Sequence, residues 1–596
     1  MILPGPQWLL VVGIVATTNT QVTRDAATTA IRVNQVGYLP DAPKVAVVCS
    51  LDSSVVRTFV VRDARGHIVL GPKPATRHGS FASCRMTERL DFSALRTAGR
   101  YTIEAGAATP VAVRIGANVY DGGADTALYY MRQQRSGWNP LFRDSVHRFD
   151  GNAIDDSGRV VKWVPVSGGW ADASDYLQYV TTSATATYML LAAYRDNPRA
   201  FADAFDARGV PGANGVADVI DEARHGVDWL LRMYPGGTEM YNQLGDDRDH
   251  AFFDMLSNDS SDYGWGRGRE RALYPCTGRP QGLFRHRNRS SGFASTAGKF
   301  ASTFALAAST IGGRDTALVR TLRDRAVAAY ALGRQYPGAC QTAPGTSPYF
   351  YEEDNWVDDM ELAATQLFAL TRDGRYLRQA VEYARQEMVT PWMGADTARH
   401  YQWYPWHNNG HYELWRSGSP SDRAATARYY RDGLERVVAR ATNGFLAGIP
   451  FIWCSNDLMA SFATQAQLYR RMTGDQQFRR HEQAAVDWLF GANPWGTSMM
   501  VGYPNLSTTP RDPHSVHATR LGVHVLLGGL VDGPVYRSIY ASLRGISLLG
   551  ADEYAPFNTG FIVYHDDAGD YSTNEPIMDG TASMVYLLSN LTRRSR

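Results

Sequence analysis

Two hydrophobic rhythms divide this chain. From about residue 30 to 115, apolar residues fall in short runs of strand length: IRVNQVGYLP, KVAVVCS, VVRTFVVRD, HIVLGP and GRYTIEAG. β-Branched and aromatic residues suit a pleated, half-buried surface. Turn signals such as Leu39-Pro40, Arg65-Gly66 and Ala98-Gly99 part the runs. That spacing predicts a small all-β sandwich of immunoglobulin type, although the Cys…Trp…Cys pattern of antibody domains is absent. Beyond residue 118 the period becomes helical. Val219, Ala223, Val227 and Leu230 recur every three or four positions in DVIDEARHGVDWLLRMY, as one buried helix face requires. Met360–Leu370 and Tyr376–Met388 predict a helical hairpin broken at Asp373-Gly374, and His481–Phe490 predicts a helix stopped by Gly491. Helical hairpins joined by long polar and aromatic loops predict a toroid of helices with its chemistry on the loops.

Size agrees with more than one unit. A chain of 596 residues exceeds the roughly 250–300 residues that one core supports. A net charge of +1 offers no electrostatic grip on nucleic acid or an anionic membrane, so neither is an expected partner. Fourteen tryptophans and 32 tyrosines are a generous supply of rings, which stack on the C–H faces of sugars as well as filling cores. The five cysteines form no CxxC pair, so no zinc ribbon or redox motif is indicated. Cys49 and Cys84 lie in the same β-rich region and could pair after export. Residues 8–16, WLLVVGIVA, are too short to span a membrane and read as the apolar part of a signal peptide. A leader over 1–28 and a secreted or periplasmic protein are therefore expected. The sequence says nothing about oligomeric state.

The stretch with the densest chemistry is SGGWADASDYLQYV, Ser167–Val180. Gly168 and Gly169 permit a sharp bend. The text after Asp175 reads as a helix, which places Asp172 and Asp175 at or just before its N-terminus. Two carboxylates there can hold and deprotonate a water, or one can simply cap the helix. Near the other end of the chain, Glu575 stands in DYSTNEPIMDG with Asp570 five residues upstream. Hydrolysis of a glycosidic bond needs two carboxyl groups across the bond, one ionised and one protonated.

SGGWADASDYLQYV resembles the GGW-x-DAGDY segment of glycoside hydrolase family nine, the inverting cellulase family, and DYSTNE resembles that family's C-terminal acid motif. DVIDEARHGVDWLLRM, SSGFASTAGKFASTFAL, NWVDDMELAA, FGANPWGTSMMVGYP and GGLVDGPV resemble further family segments in the family's order. IRVNQVGYLP resembles the immunoglobulin-like domain that precedes many members. The resemblance covers nearly everything after residue 30. It implies an (α/α)6 barrel over 118–596 behind an immunoglobulin-like sandwich over 29–117, a mainly α protein. It also implies a polysaccharide or oligosaccharide substrate, with β-1,4-glucan first in line. Asp175 would be the general base, Asp172 its partner in holding water and Glu575 the general acid. Residues expected to line the sugar site are Trp170, Trp265, Trp356, His411, His514, Asp570 and Tyr571, with Trp403, Trp406 and Tyr412 on neighbouring loops.

The chain departs from the family at three points. Ser174 replaces the glycine of DAGD. The cysteines that hold zinc in many relatives are replaced in Arg135-Ser136-Gly137-Trp138-Asn139-Pro140 and Asp144-Ser145-Val146-His147, which leaves only His147. Zinc is not expected there, because thiolates dominate such sites. The arginine of the family's HHR-type cluster has no counterpart in Asp512-Pro513-His514-Ser515-Val516-His517. That loss keeps an exo-β-glucosaminidase on chitosan oligosaccharides as a rival. Two others are a non-catalytic sugar-binding scaffold and a hydrolase with its acids elsewhere. No cofactor is required. Asp246, Asp247, Asp249, Asp358 and Asp359 are the oxygen donors for any structural calcium.

Overall fold

A computed structural model describes residues 28–252, 254–311, 313 and 315–593. The leader expected over 1–28 lies outside the described residues, apart from Thr28. Two four-stranded antiparallel sheets come first. One has β1 (Thr29–Arg32), β2 (Val45–Ser50), β6 (Cys84–Asp91) and β5 (Thr76–Phe81) side by side. The other runs β4 (Ile68–Pro74), β3 (Thr58–Asp63), β7 (Gly99–Ala105), β8 (Val111–Ile115). Val48, Phe59, Val61, Leu90 and Ile103 fill the space between them, which makes the unit an immunoglobulin-like sandwich. Cys49 and Cys84 are disulfide-bonded, joining the neighbouring strands β2 and β6. A second disulfide, Cys276–Cys340, links two loops of the helical region; nothing in the spacing of those cysteines points to it.

Twelve longer helices follow among the described residues. They are α1 (Gly123–Gln133), α2 (Val180–Asp196), α3 (Asp218–Met233), α4 (Ala294–Thr310), α5 (Thr316–Gln335), α6 (Val357–Thr371), α7 (Gly374–Gln386), α8 (Asn409–Ser417), α9 (Pro420–Arg440), α10 (Ser455–Thr473), α11 (Arg479–Leu489) and α12 (Met578–Leu591). The even-numbered helices touch one another in a closed inner ring, and each odd-numbered helix packs outside its neighbour. This is an (α/α)6 barrel. The sequences match the two environments. α4, ASTAGKFASTFALAAST, is buried on nearly every side, as an apolar helix of small residues inside a core should be. α9 carries eight charged residues by its sequence, PSDRAATARYYRDGLERVVAR, and buries one narrow stripe. It starts with a capping box between Ser419 and Asp422, which satisfies N–H groups that otherwise lack partners. The predicted break between α6 and α7 is present: Arg372 takes a left-handed conformation, and the Asp373 carboxylate accepts from Arg375 N–H.

The two units share a packed, hydrogen-bonded interface. Phe81 of β5 meets Phe445, Phe451 and Trp488 of the barrel at 5.8–6.3 Å between ring centroids. Asn34 Nδ2 donates to Asp487 Oδ1 of α11 at 2.9 Å, and Gln483 Nε2 donates to the same oxygen at 2.8 Å. Burial pushes the Asp487 carboxyl up to about 7 against the opposing effect of these donors. Its unfolded value is near 4, so the folded protein binds more protons between the two values and loses stability as pH rises from about 4 to about 7. Asp487→Asn keeps an acceptor for both donors and removes that loss. The variant is expected to melt above wild type at pH 8 and to approach it at pH 4.5. Equal shifts in melting temperature at both pH values would sink this account.

Candidate active site

The loops that enter the inner helices meet at one end of the barrel, and the three candidate carboxyl residues lie there. Asp172 and Asp175 precede α2, and Glu575 precedes α12. The expected helix start directly after Asp175 is not observed. Gln178–Tyr179 form a short strand and α2 begins at Val180, so neither aspartate caps it. The loop is shaped instead by Gly168 and Gly169, at φ 121° and 75°. It is also tied to the chain end of α1, where Ser136 N–H donates to Gly169 O and Ala171 N–H to Gln134 O, both at 2.8 Å. Met578 N–H of α12 donates to Asp172 O at 2.9 Å. This bond draws the segment carrying Glu575 against the aspartate loop.

The three carboxyl groups have different surroundings. Asp172 is 3% exposed. Its Oδ1 accepts from the Thr182 hydroxyl and its Oδ2 from the Tyr351 hydroxyl. Burial, followed by the charges of Asp579 and Asp175, holds its pKa well above the usual carboxylate range. Asp175 has a side chain 23% exposed. Its Oδ2 is 3.4 Å from His250 Nε2, and its Oδ1 has no hydrogen-bond partner among the described residues. Desolvation pushes His250 down, but its bond to Asp175 and the charges of Asp249 and Asp175 outweigh this and carry it up to about 10. The shift favours the imidazolium form of His250 opposite Asp175. Glu575 Oε1 accepts from Ser174 N–H at 3.0 Å and from the Ser174 hydroxyl. Desolvation raises its pKa, with Asp175 adding to the rise and His514 opposing it. The arrangement brings a carboxyl prone to stay protonated close to one paired with a cation, the division of labour that acid–base cleavage requires.

Rings flank these acids. Tyr349 and Trp453 are 5.8 Å apart, Trp453 and Tyr571 5.6 Å, and Tyr571 and His514 6.1 Å, centroid to centroid. Tyr351 stacks flat on Tyr401 at 4.0 Å. Trp453 is held by its Nε1–H donating to Asp532 Oδ2 at 2.9 Å.

Comparison with known families fixes the family to which this arrangement belongs. A family model for glycosyl hydrolase family 9 matches residues 120–588, and one for the cellulase N-terminal ig-like domain matches residues 26–110. The chain belongs to glycosyl hydrolase family 9. Endoglucanase C of Cellulomonas fimi is 26% identical over 520 residues, which cover 80% of this chain and 44% of that protein. The chain thus spans less than half the length of that relative. A cellodextrinase of Butyrivibrio fibrisolvens is 24% identical over 94% of this chain and 99% of its own. A metagenome-derived family 9 endoglucanase of known structure superposes with a TM-score of 0.74 at 25% identity, covering 95% of this chain and 99% of that one.

In this family 9 chain several residues expected at the sugar site prove to be structural. Trp170 is fully buried and donates from Nε1 to Glu222 Oε1 at 2.8 Å. Its ring lies over Gly226 of α3, where a Cβ would come within 2.3 Å of the indole. No face of it is open to a ligand. His411 is 1% exposed, with Nδ1 2.8 Å from Glu361 Oε1 and Nε2 3.1 Å from Met388 O. Asp570 is buried and accepts from His565 Nδ1, Ser572 N–H and Thr573 Oγ1 at 2.7–2.8 Å. It folds the turn that presents Tyr571 and Glu575. Trp406 and Tyr412 are buried too. Trp265 stacks on Tyr263 in a small separate cluster. Trp356 is half-buried at the start of α6, 6.3 Å from Tyr383 of α7, and Trp403 is also half-buried against the core. Of the expected set, His514 and Tyr571 stand beside the acids.

The calcium donors are dispersed. Asp246 pairs with Arg248 at 2.7 Å, Asp247 accepts from Thr346 N–H at 2.8 Å, Asp249 from Tyr176 N–H at 3.3 Å, and Asp359 pairs with Lys299 at 2.7 Å. Asp358 is buried next to Asp359 on α6. Among the described residues no group of three or more His, Cys, Asp or Glu is placed to hold a metal. His147, the remnant of the zinc pattern, lies 3.3 Å from Ser136 Oγ through Nδ1 and 2.8 Å from Asp259 Oδ2 through Nε2.

Sequence reasoning missed Thr182, Tyr351, His250, Tyr349 and Trp453. Tyr349, Tyr351 and His250 do lie in loops that stand out as polar and aromatic. Trp453, in the apolar run PFIWCSN, gives no such signal.

Proposed function

We propose that this family 9 protein hydrolyses β-1,4-linked glucan with inversion at the anomeric carbon. The observation that carries the reading is the contrast in setting between Glu575, held by Ser174 N–H at 3.0 Å and pushed up by desolvation, and Asp175, which lies 3.4 Å from His250 Nε2 and leaves Oδ1 open. Asp175 Oδ1 takes the proton from an attacking water. Glu575 gives its proton to the departing glycosidic oxygen. Asp172 has both oxygens occupied by Thr182 and Tyr351; it fixes the loop and has no oxygen left open to act as the base. The rings of Tyr349, Trp453 and Tyr571 offer apolar faces to pyranose C–H groups. An endoglucanase and a cellodextrinase among the relatives support the glucan as substrate.

A hydrolysis panel of cellohexaose, mixed-linkage glucan, xyloglucan and chitosan oligosaccharides, followed by proton NMR, tests the proposal. Cellohexaose should be cut internally, with the α-anomer appearing first and converting slowly to the equilibrium mixture. A β-anomer as first product would overturn inversion. Release of terminal glucosamine alone would replace the substrate with that of the exo rival. No turnover on any member would leave a binding scaffold.

A further inference from the structure

We propose that Ser174 is a positioning residue for Glu575: its hydroxyl and its backbone N–H together hold Oε1, so that the transferable proton is carried on Oε2. The proposal rests on the assignment of Glu575 as general acid.

Both donors converge on one oxygen. In a protonated carboxyl one oxygen only accepts, while the other carries the proton and donates. Two N–H and O–H donors aimed at Oε1 make it the accepting oxygen and leave Oε2 to carry the proton. A rotation of the carboxyl would break both bonds at once, so the acid is held in one orientation. Ser174 is also the chain neighbour of Asp175, which ties the acid's orientation to the base through a single peptide unit.

The backbone does not explain the choice of residue. Ser174 is not among the residues with left-handed φ, so the position tolerates any side chain that fits. A glycine, as in the DAGD motif that this segment resembles, would supply the N–H alone. A serine adds the second donor. A hydrogen bond to the ionised form also favours that form, so the hydroxyl restrains the rise in pKa that desolvation and Asp175 impose on Glu575.

The test compares Ser174→Ala, Ser174→Thr and Glu575→Gln on a cello-oligosaccharide and on dinitrophenyl β-cellobioside, whose leaving group departs without a proton. Ser174→Ala is expected to lower kcat on the oligosaccharide about tenfold and to move the alkaline limb of kcat/KM up by about one pH unit. The aryl substrate should be cleaved within about twofold of the wild-type rate, since acid catalysis contributes little there. Ser174→Thr should restore both the rate and the limb. Equal losses on the two substrates, or an unmoved alkaline limb, would overturn the proposal while a dead Glu575→Gln left the acid assignment intact. Wild-type turnover of the oligosaccharide by Glu575→Gln would instead remove the assignment on which the proposal rests.

Discussion

Glu575→Gln lowers kcat on cello-oligosaccharides by about 10²–10⁴-fold, the usual contribution of a positioned general acid, while KM changes little. Glutamine preserves the side-chain volume, and its carbonyl oxygen can still accept from Ser174 N–H, 3.0 Å from Oε1 in the native chain. What it lacks is a proton that can be given up. The pH profile separates this loss from a folding defect. The proposed mechanism needs a protonated Glu575, so the native rate should fall on the alkaline side as Glu575 loses its proton. Desolvation and the nearby Asp175 raise that pKa above the ordinary carboxylate value, which carries the limb toward neutral pH. With a dinitrophenyl leaving group the variant should remain active and show no such limb. A variant that hydrolyses both substrates normally would show that the acid lies elsewhere on the toroid.

Lys299→Met destabilises the fold by about 3–5 kcal/mol at neutral pH, the usual effect of removing one partner from a buried ion pair. Lys299 is 3% exposed on α4. Its Nζ donates to Glu353 Oε1 and, at 2.7 Å, to Asp359 Oδ2. Glu353 also accepts from Thr181 of α2 at 3.2 Å, so the cluster clamps three adjacent inner helices. Burial works against the ammonium, yet the charges of Asp359 and Glu353 outweigh it and hold its pKa up. Burial likewise raises both acids, and Lys299 is what opposes the rise. Without it they fold as neutral carboxyls, with pKa values far above the unfolded value near 4. Such groups lose stability as pH rises from the unfolded value through the folded one. The deficit of the variant should therefore be small near pH 4.5 and widest near pH 8, as read from urea midpoints at both values. A deficit that is flat across pH, or below about 1 kcal/mol, would contradict the account.

The helices are legible in the sequence because a buried face repeats every three or four residues, and α3, α6, α7 and α11 lie close to where that repeat puts them. The sandwich is legible for the same reason at the shorter period. The succession of helical hairpins suggests a toroid, but its six-fold closure is not periodic information; it comes from motif likeness. Asp172, Asp175 and Glu575 are visible as carboxyls in unusual text, but the sequence presents the aspartates as helix-cap residues. The glycines at 168 and 169 lengthen the loop, and a strand intervenes before α2, so the caps do not form. Tryptophan misleads most. Trp170 belongs to the motif and is core, whereas Trp453 has no motif and stands beside the acids. Ring burial depends on what lies across the barrel, here Gly226 and Glu222 for Trp170, and no local window contains that.

The ring of helices is joined between its first and last members. α1 packs on α12, and Tyr130 of α1 donates from its hydroxyl to Pro576 O, beside Glu575, at 2.6 Å. The proposed acid and base meet across this joint. During synthesis Asp175 leaves the ribosome long before Glu575. The centre is complete only when α12 docks against α1 and brings Glu575 to the aspartate loop. A polypeptide cut before α12 would lack Glu575 altogether, so the two proposed partners in the chemistry come together only in a ring that has closed on itself.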